Sequence, residues 1–322
     1  MRVLFFGSGE FAVPTLRSIQ HDGHDVLAVV TQPDRAKGRG QDLSPTPVKR
    51  EAAALGLAVL CPADVNDARV VAQLTSLGAD LAYVAAFGQK IGKELLNAFP
   101  VGIINLHASL LPAFRGAAPI QRAIMNGCGE TGVTIFRLVE KMDAGPILLQ
   151  RRTTIGDCET AQELHDRLAR IGCDAVREAL ALLATNPSAP GTPQDDAKAT
   201  NAPKLTKADG HISFDQPASS VAAAICGLWP WPGAACLFHS IDGRREERVT
   251  LARARDCEIA APALELSQAT GTINELMRVR AKDGEVELLE IKPAGGKLME
   301  WQAFVNGRHV APGDRFWPVE SA

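Results

Sequence analysis

The alternation of short apolar runs with stretches of helical composition is the feature that most constrains the fold of this chain. The apolar runs lie at 3–6, 26–31, 57–60, 80–86 and 102–106, and the helical stretches at 10–21, 48–55, 67–77 and 117–126. The runs are continuously hydrophobic, which is typical of strands that are covered on both faces. We therefore predict an α/β domain built on a doubly wound, parallel, Rossmann-like sheet.

The second part of the chain has a different pattern. Residues 186–204 contain four prolines and almost no large apolar residue, which is the composition of an extended connector. Beyond it, short runs at 234–241, 247–254, 271–281 and 285–292 are separated by glycine turns and predict a small, OB-like β-barrel. The predicted organisation is a catalytic domain at 1–186, a linker at 187–204 and a C-terminal β-barrel domain at 205–322.

Composition narrows the class of protein. A chain of 322 residues that is 46% hydrophobic, with a net charge of -3, is a globular protein whose cores need no disulfides. The seven cysteines form no Cys-x-x-Cys pair and no zinc-type spacing, so we expect buried, reduced thiols and no metal. A strand begins almost at the first residue and no apolar run reaches about 18 residues, so we expect a cytoplasmic protein with no membrane partner.

The end of the apolar run at 102–106 carries an amide and an imidazole two residues apart. Asn105 and His107 face the same side of a strand because side chains alternate along it. In open α/β sheets, ligands bind beyond the carboxyl ends of the strands, where this pair lies. The pair therefore predicts a reactive site at residues 105–112, although a lone histidine is more often a structural residue.

Two loops suggest ligands of other kinds. Gly7-Ser8-Gly9-Glu10-Phe11-Ala12 matches the loose dinucleotide pattern after a first strand, but the acidic residue expected at the end of the second strand is missing, which favours a simple tight turn. The segment 31–50 is long for a connection and holds five basic residues against two acidic ones. This segment suits a loop that meets phosphates, or else a solvated charged loop.

Three blocks, Asn105 to Pro112, Phe114 to Gln121 and Met142 to Gly145, resemble the folate-dependent formyltransferases. Five further blocks resemble the members of that family that act on charged tRNA: Gln32 to Arg35, Gly38 to Gly40, Pro45 to Lys49, Trp229 to Ala234 and Gly313 to Phe316. The resemblance covers almost the whole chain. It implies transfer of the formyl group of 10-formyltetrahydrofolate to the α-amine of methionine esterified to initiator tRNA, by a protein that we expect to be a monomer.

The resemblance implies roles for particular residues. Asn105 and a protonated His107 would donate hydrogen bonds to the developing oxyanion, and Asp143 would hold His107 and receive the ammonium proton, directly or through water. The residues implied for folate binding are Ser109, Leu110, Leu111, Pro112, Phe87 and Gly88. Those implied for tRNA binding are Arg39 first, then Lys37, Arg35 and Lys49, and the C-terminal domain is expected to take part.

Two alternatives remain open at this point. A formyltransferase or hydrolase that acts on a small molecule would share the Asn, His and Asp set, and a nicotinamide-dependent oxidoreductase would use the loop at Gly7. The net charge of residues 205–322 weakens the tRNA hypothesis, because this segment has 13 Lys and Arg but 16 Asp and Glu, whereas a domain that binds nucleic acid is expected to be basic. Arginines at 244, 245, 248, 253 and 255 could still form a positive strip, provided that the acidic residues between them do not cancel its charge. For Trp229 and Trp231 we expect core packing rather than base stacking.

Overall fold

The structure of the protein is a computed structural model that describes residues 1–37, 42–257 and 269–319. The chain forms two compact units, each assembled from separate stretches. The first unit comprises Met1–Gly116, Gly132–Thr153 and His165–Asn201, and the second comprises Ala117–Thr131, Thr154–Leu164 and Ala202–Ala322. The units therefore do not follow the contiguous ranges 1–186 and 205–322 that the sequence suggests.

Up to residue 202, the described part of the chain forms eleven strands and six helices. In chain order the strands are β1 Arg2–Gly7, β2 Asp25–Val30, β3 Arg35–Lys37, β4 Asp42–Ser44, β5 Val59–Leu60, β6 Leu81–Ala85, β7 Gly102–His107, β8 Arg115–Gly116, β9 Glu130–Arg137, β10 Ile147–Thr154 and β11 Asn201–Ala202. The helices are α1 Val13–His21, α2 Pro47–Ala54, α3 Ala68–Ser76, α4 Lys93–Leu96, α5 Pro119–Met125 and α6 Ala161–Thr185. Single 3-10 turns occupy Glu10–Ala12, Asp196–Lys198 and Ala208–Gly210.

Seven of these strands form one sheet in the order β10-β9-β7-β6-β1-β2-β5. The five strands from β7 to β5 run parallel, and β9 pairs antiparallel with β7. Leu4, Phe6 and Val30 are completely buried in it, as continuous apolar runs require. The predicted doubly wound parallel sheet is confirmed.

Local signals fix where the helices begin. Helix α2 starts at a proline, and the side chain of Thr46 accepts a hydrogen bond from the amide of Lys49. Helix α3 is capped by Asp67, whose side chain accepts from the amides of residues 69 and 70. At α6, Thr160 and Glu163 form a reciprocal cap, each side chain accepting from the other's backbone amide.

The described residues after β11 form α7 Ala218–Leu228, α8 Trp301–Arg308 and six strands of the second unit, β12 Ala234–His239, β13 Glu246–Cys257, β14 Val279–Arg280, β15 Glu285–Pro293, β16 Met299–Glu300 and β17 Arg315–Pro318. The main sheet order is β14-β15-β13-β12-β17. Gly271 nearly closes it into a barrel, because its amide donates to Arg280 of β14 and its carbonyl accepts from Phe316 of β17. The predicted small β-barrel is confirmed.

Aromatic rings fill the barrel. The ring centroid of Phe238 lies 5.4 Å from that of Phe304 and 5.6 Å from that of Phe316. Trp301 stacks on Phe304. Helix α5 belongs to this unit, since Gly227 of α7 lets the two helices approach closely: a Cβ there would lie 2.7 Å from Met125. The missing side chain at Gly227 thus lets α5 pack closely against α7.

Two expectations about single residue types need correction. Trp231 is 51% exposed, so core packing is wrong for that tryptophan, while Trp229 is half-buried. All seven cysteines are free, but only Cys226 and Cys236 are buried and the other five are half-buried. Burial raises the pKa of the Cys226 thiol to about 11, which keeps it protonated and unreactive near neutral pH. Along the described chain, no helix is both long and apolar enough to cross a bilayer.

Candidate active site

The carboxyl end of β7 presents Asn105 and His107 on one face, as their spacing predicts. The His107 ring is 7% exposed, and its Nε2 lies 2.8 Å from the carbonyl oxygen of Phe114. A carbonyl only accepts, so Nε2 carries a hydrogen and Nδ1 is the atom left to face a ligand. The Asn105 side chain is half-buried and makes no hydrogen bond to any other residue that the structure describes, so its amide is available to a ligand.

The connection from β9 to β10 brings Asp143 to the same place. Its Oδ2 accepts a hydrogen bond of 2.8 Å from the amide of Gly116 and lies 3.8 Å from His107 Nδ1. That distance suits an ion pair when the ring is protonated but exceeds a hydrogen bond. The expectation that Asp143 holds the ring stays a prediction: the Phe114 carbonyl binds Nε2 of His107, and the Asp143 carboxylate faces Nδ1 at ion-pair distance.

The shape of the Asp143 connection depends on a glycine. Any side chain at Gly145 would clash with the carbonyl oxygen of Arg137, at the point where β9 leaves the sheet. Asp143 itself has a φ of 49°, in the left-handed region that aspartate tolerates better than most residues. Gly145 is thus required for the turn, and aspartate is a residue type that tolerates the backbone conformation at position 143.

The proposed folate loop is fixed from behind by Thr134, a fully buried residue of β9. The Thr134 hydroxyl donates to the Ser109 carbonyl at 2.6 Å and accepts from the Leu111 amide at 3.1 Å. Gln150 of β10 adds a 2.8 Å hydrogen bond to the Leu111 carbonyl. The Leu110 carbonyl also has an internal partner. Sequence reasoning missed Thr134 and Gln150, because the strand pairing that puts them behind this loop is not visible in the pattern of apolar residues.

These bonds decide what the loop offers to a ligand. Because the polar backbone groups named above already have partners, the segment Ser109–Pro112 presents mainly the half-exposed side chains of Leu110 and Pro112. The Ser109 hydroxyl also has a partner, the carbonyl of Ala113, at 2.6 Å. Residues 109–112 therefore fit a flat, partly apolar ring system better than a phosphate.

The segment at Phe87 and Gly88 contributes backbone rather than a side chain. The Phe87 ring is buried against Phe6, and the Phe87 carbonyl accepts from the Ser8 hydroxyl at 3.0 Å. Gly88 is exposed with a φ of 85°. Only the backbone of this segment is accessible to a folate.

Two amides of the first glycine loop already have partners within the protein. The amides of Ser8 and Gly9 both donate to the carbonyl of Ala86, at 3.1 and 3.2 Å. Glycines here permit a tight turn, as the sequence favours, and nothing at this loop supports nicotinamide binding.

In the described part of the basic segment 31–50, β3 pairs antiparallel with β4. Arg39 lies outside the described residues, and so does the side chain of Lys37. Arg35 is exposed and hydrogen-bonds Gln32 at 3.1 Å. Lys49 forms a 2.8 Å ion pair with Asp34, whose hydrogen bond raises the pKa of the lysine. Phosphate would therefore have to compete with Asp34 for Lys49.

The arginine strip on the barrel is largely neutralised. Arg253 binds both Glu163 and Glu290, and Arg255 binds Glu287. Arg244 pairs with Asp242 at 3.6 Å, so three of the five arginines of the strip have acidic partners.

Comparison with known proteins places the chain in a family. Residues 1–180 match the family model described as formyl transferase, and residues 204–309 match the one described as formyl transferase, C-terminal domain. A methionyl-tRNA formyltransferase of Moorella thermoacetica is 41% identical over 318 residues, 98% of each chain. Another from Symbiobacterium thermophilum is 43% identical, and the alignment covers 100% of this chain and 97% of the relative. The chain belongs to the methionyl-tRNA formyltransferase family.

Solved structures outside the methionyl-tRNA formyltransferase family share its fold. WlaRD, a sugar 3N-formyl transferase solved with dTDP and 5-N-formyl-THF, is 16% identical with a TM-score of 0.64, over 89% of this chain and 96% of WlaRD. HypX from Aquifex aeolicus, in complex with tetrahydrofolic acid, is 17% identical with a TM-score of 0.59, over 95% of this chain and 47% of HypX. The predictions of a formyltransferase and of its two-part fold are confirmed.

Proposed function

We propose that the protein transfers the formyl group of 10-formyltetrahydrofolate to the α-amino group of methionyl initiator tRNA. The observation that carries the proposal is the convergence of the Asn105 amide, the His107 ring and the Asp143 carboxylate at the carboxyl end of β7. The names of the full-length relatives support this choice of substrates. We expect the protein to act as a cytoplasmic monomer, without a metal.

The three side chains match the charges that develop in this reaction. The amine nitrogen attacks the formyl carbon, so the formyl oxygen gains negative charge while the nitrogen becomes positive. Asn105, which has no competing partner among the described residues, donates its amide hydrogen to that oxygen. A protonated His107 donates from Nδ1, since Nε2 is held by Phe114.

Proton transfer completes the cycle. Asp143 takes the proton that the attacking nitrogen releases, directly or through water. It then passes this proton to the folate nitrogen as the bond from that nitrogen to the formyl carbon breaks, which restores the carboxylate. Tetrahydrofolate and formylmethionyl-tRNA leave. The position of Asp143, half-buried and fixed by the Gly116 amide, keeps one carboxylate oxygen beside the reacting atoms.

The folate would lie between two walls that the structure describes. Leu110 and Pro112 offer apolar contact on one side, and the backbone at Gly88 offers polar groups on another. Exposed Met142, at 68%, adds a flexible apolar side chain next to Asp143. For the tRNA, we propose Arg39, with Lys37, Arg35 and Lys49 as further contacts, together with the C-terminal barrel.

A direct assay tests the proposal. Purified protein, 10-formyltetrahydrofolate and methionyl initiator tRNA should give formylmethionyl-tRNA, detected by release and separation of the amino acid. Asn105→Ala should lower kcat by about 100-fold, because one donor to the oxyanion is lost. Free methionine and amino sugars serve as competing acceptors. Equal or faster formylation of one of those, or hydrolysis alone, would contradict the proposed substrate.

A further inference from the structure

Gln194, in the segment that the sequence predicts to be a linker, contacts the Asp143 turn directly. Its Nε2 donates to the carbonyl oxygens of Asp143 and Gly145, at 2.8 and 2.7 Å. Two carbonyls on the inner side of one tight turn are thereby held by a single amide. The residues on both sides of this contact belong to the first compact unit.

The other end of the same amide is held by a buried cation. Gln194 Oε1 accepts from Arg115 Nε and Nη2, at 3.1 and 2.7 Å, and the Arg115 side chain is 8% exposed. These partners allow only one orientation of the Gln194 amide, because a guanidinium only donates hydrogen bonds and a carbonyl only accepts them. Asp196 pairs with the same guanidinium at 2.8 Å.

Arg115 also adjoins the group that orients the carboxylate. The next residue, Gly116, donates its amide to Asp143 Oδ2 at 2.8 Å. Gln194 thus contacts the backbone of the Asp143 turn through Nε2. Through Oε1 it contacts the side chain of Arg115, the residue before Gly116. A shift of either contact changes the position of the carboxylate relative to His107.

We propose that Gln194 is a positioning residue for Asp143, and that Arg115 and Asp196 act through it. The connector is then part of the catalytic unit rather than a spacer between domains. The kinetic consequence rests on the function proposed above, but the structural consequence does not.

Gln194→Met tests the idea, since methionine keeps the length of the side chain and its neutral charge but removes the amide. We expect kcat for formyl transfer to fall about 10-fold while KM for folate and for tRNA stays within about twofold. The matched control is Gln73→Met, at an exposed glutamine on α3, which should leave kcat and both KM values unchanged. Asp196→Asn should lower kcat in the same direction but less, because it loosens only the guanidinium.

Hydrogen exchange of the Gly116 amide gives a second measurement that needs no activity. In Gln194→Met this amide should exchange several-fold faster than in the parent, while amides in β1 keep their protection. The proposal is wrong if the Gly116 amide exchanges at the same rate in Gln194→Met as in the parent. It is also wrong if a loss of global stability in Gln194→Met accounts for the whole fall in kcat. If the parent protein fails to formylate methionyl-tRNA but the Gly116 amide still loses protection, the proposed function fails and the positioning role stands.

Discussion

His107 and Asp143 are oriented by backbone groups two residues apart. The ring donates to the carbonyl of Phe114, the carboxylate accepts from the amide of Gly116, and the two side chains face each other at 3.8 Å. One short stretch of chain therefore sets the geometry of both groups.

Asp143→Asn should abolish proton transfer while it preserves the fold. The asparagine oxygen can still accept from Gly116, but it neither takes a proton nor pairs with a protonated ring. We expect kcat to fall by a factor of about 100 or more with little change in KM. The control is Glu140→Gln, an exposed acid three residues earlier. Steady-state kinetics that show the same kcat for Asp143→Asn and the parent would remove Asp143 from the mechanism.

Thr134→Val should damage the folate loop through its backbone. The change leaves the buried Ser109 carbonyl and Leu111 amide without their partner, which costs about 1–3 kcal/mol of unfolding free energy and raises KM for folate. Thr131→Val is a close control on the same strand, because the buried Thr131 hydroxyl has no partner in the described part of the chain. We expect that control to be neutral or stabilising. Urea unfolding and folate titration measure both effects, and equal behaviour of the two variants would refute the role of Thr134.

Substitution in the basic segment should weaken tRNA binding and leave folate binding intact. Arg39→Ala should raise KM for methionyl-tRNA and reduce the steepness with which binding declines as salt increases, because a phosphate contact is lost. Arg35→Ala should act in the same direction. Arg69→Ala, an exposed arginine on α3, is the control. If the salt dependence of Arg39→Ala matches that of the parent, Arg39 does not contact phosphate.

Glu163 should make the second unit sensitive to acid. Hydrogen bonding from Arg253, helped by Thr160, lowers the pKa of Glu163 from 4.5 to about 2. A folded-state pKa below the unfolded value stabilises the fold above about pH 4.5, and this contribution disappears as the pH falls toward 2. The side chain is 48% exposed, so solvent screening limits the effect to about 1 kcal/mol or less.

In Glu163→Gln, the free energy of unfolding should therefore fall less steeply between about pH 4.5 and pH 2 than it does in the parent. Urea midpoints from pH 7 down to pH 2.5 would measure the slope, with the exposed Glu275→Gln as the control. A slope for Glu163→Gln that is identical to the parent's would show that the ion pair with Arg253 contributes nothing in solution.

The amino-acid sequence already determined much of the fold and part of the site. Strands buried on both faces must be continuously apolar, so runs such as 102–106 marked the sheet correctly. Alternation along a strand then placed Asn105 and His107 on one face without any knowledge of their neighbours. These inferences succeed because they depend on spacings of a few residues, which local backbone geometry fixes.

Only the tertiary structure decided what surrounds that pair. Gln194 looked like part of a featureless connector, yet it holds the turn of a residue 51 positions earlier in the chain. Thr134 looked like any polar residue in a strand, but strand pairing places its hydroxyl behind the loop at Ser109. Such contacts depend on how distant segments pack, and no local pattern specifies them. The sequence supplies the candidate groups, and long-range packing sets the distances between them.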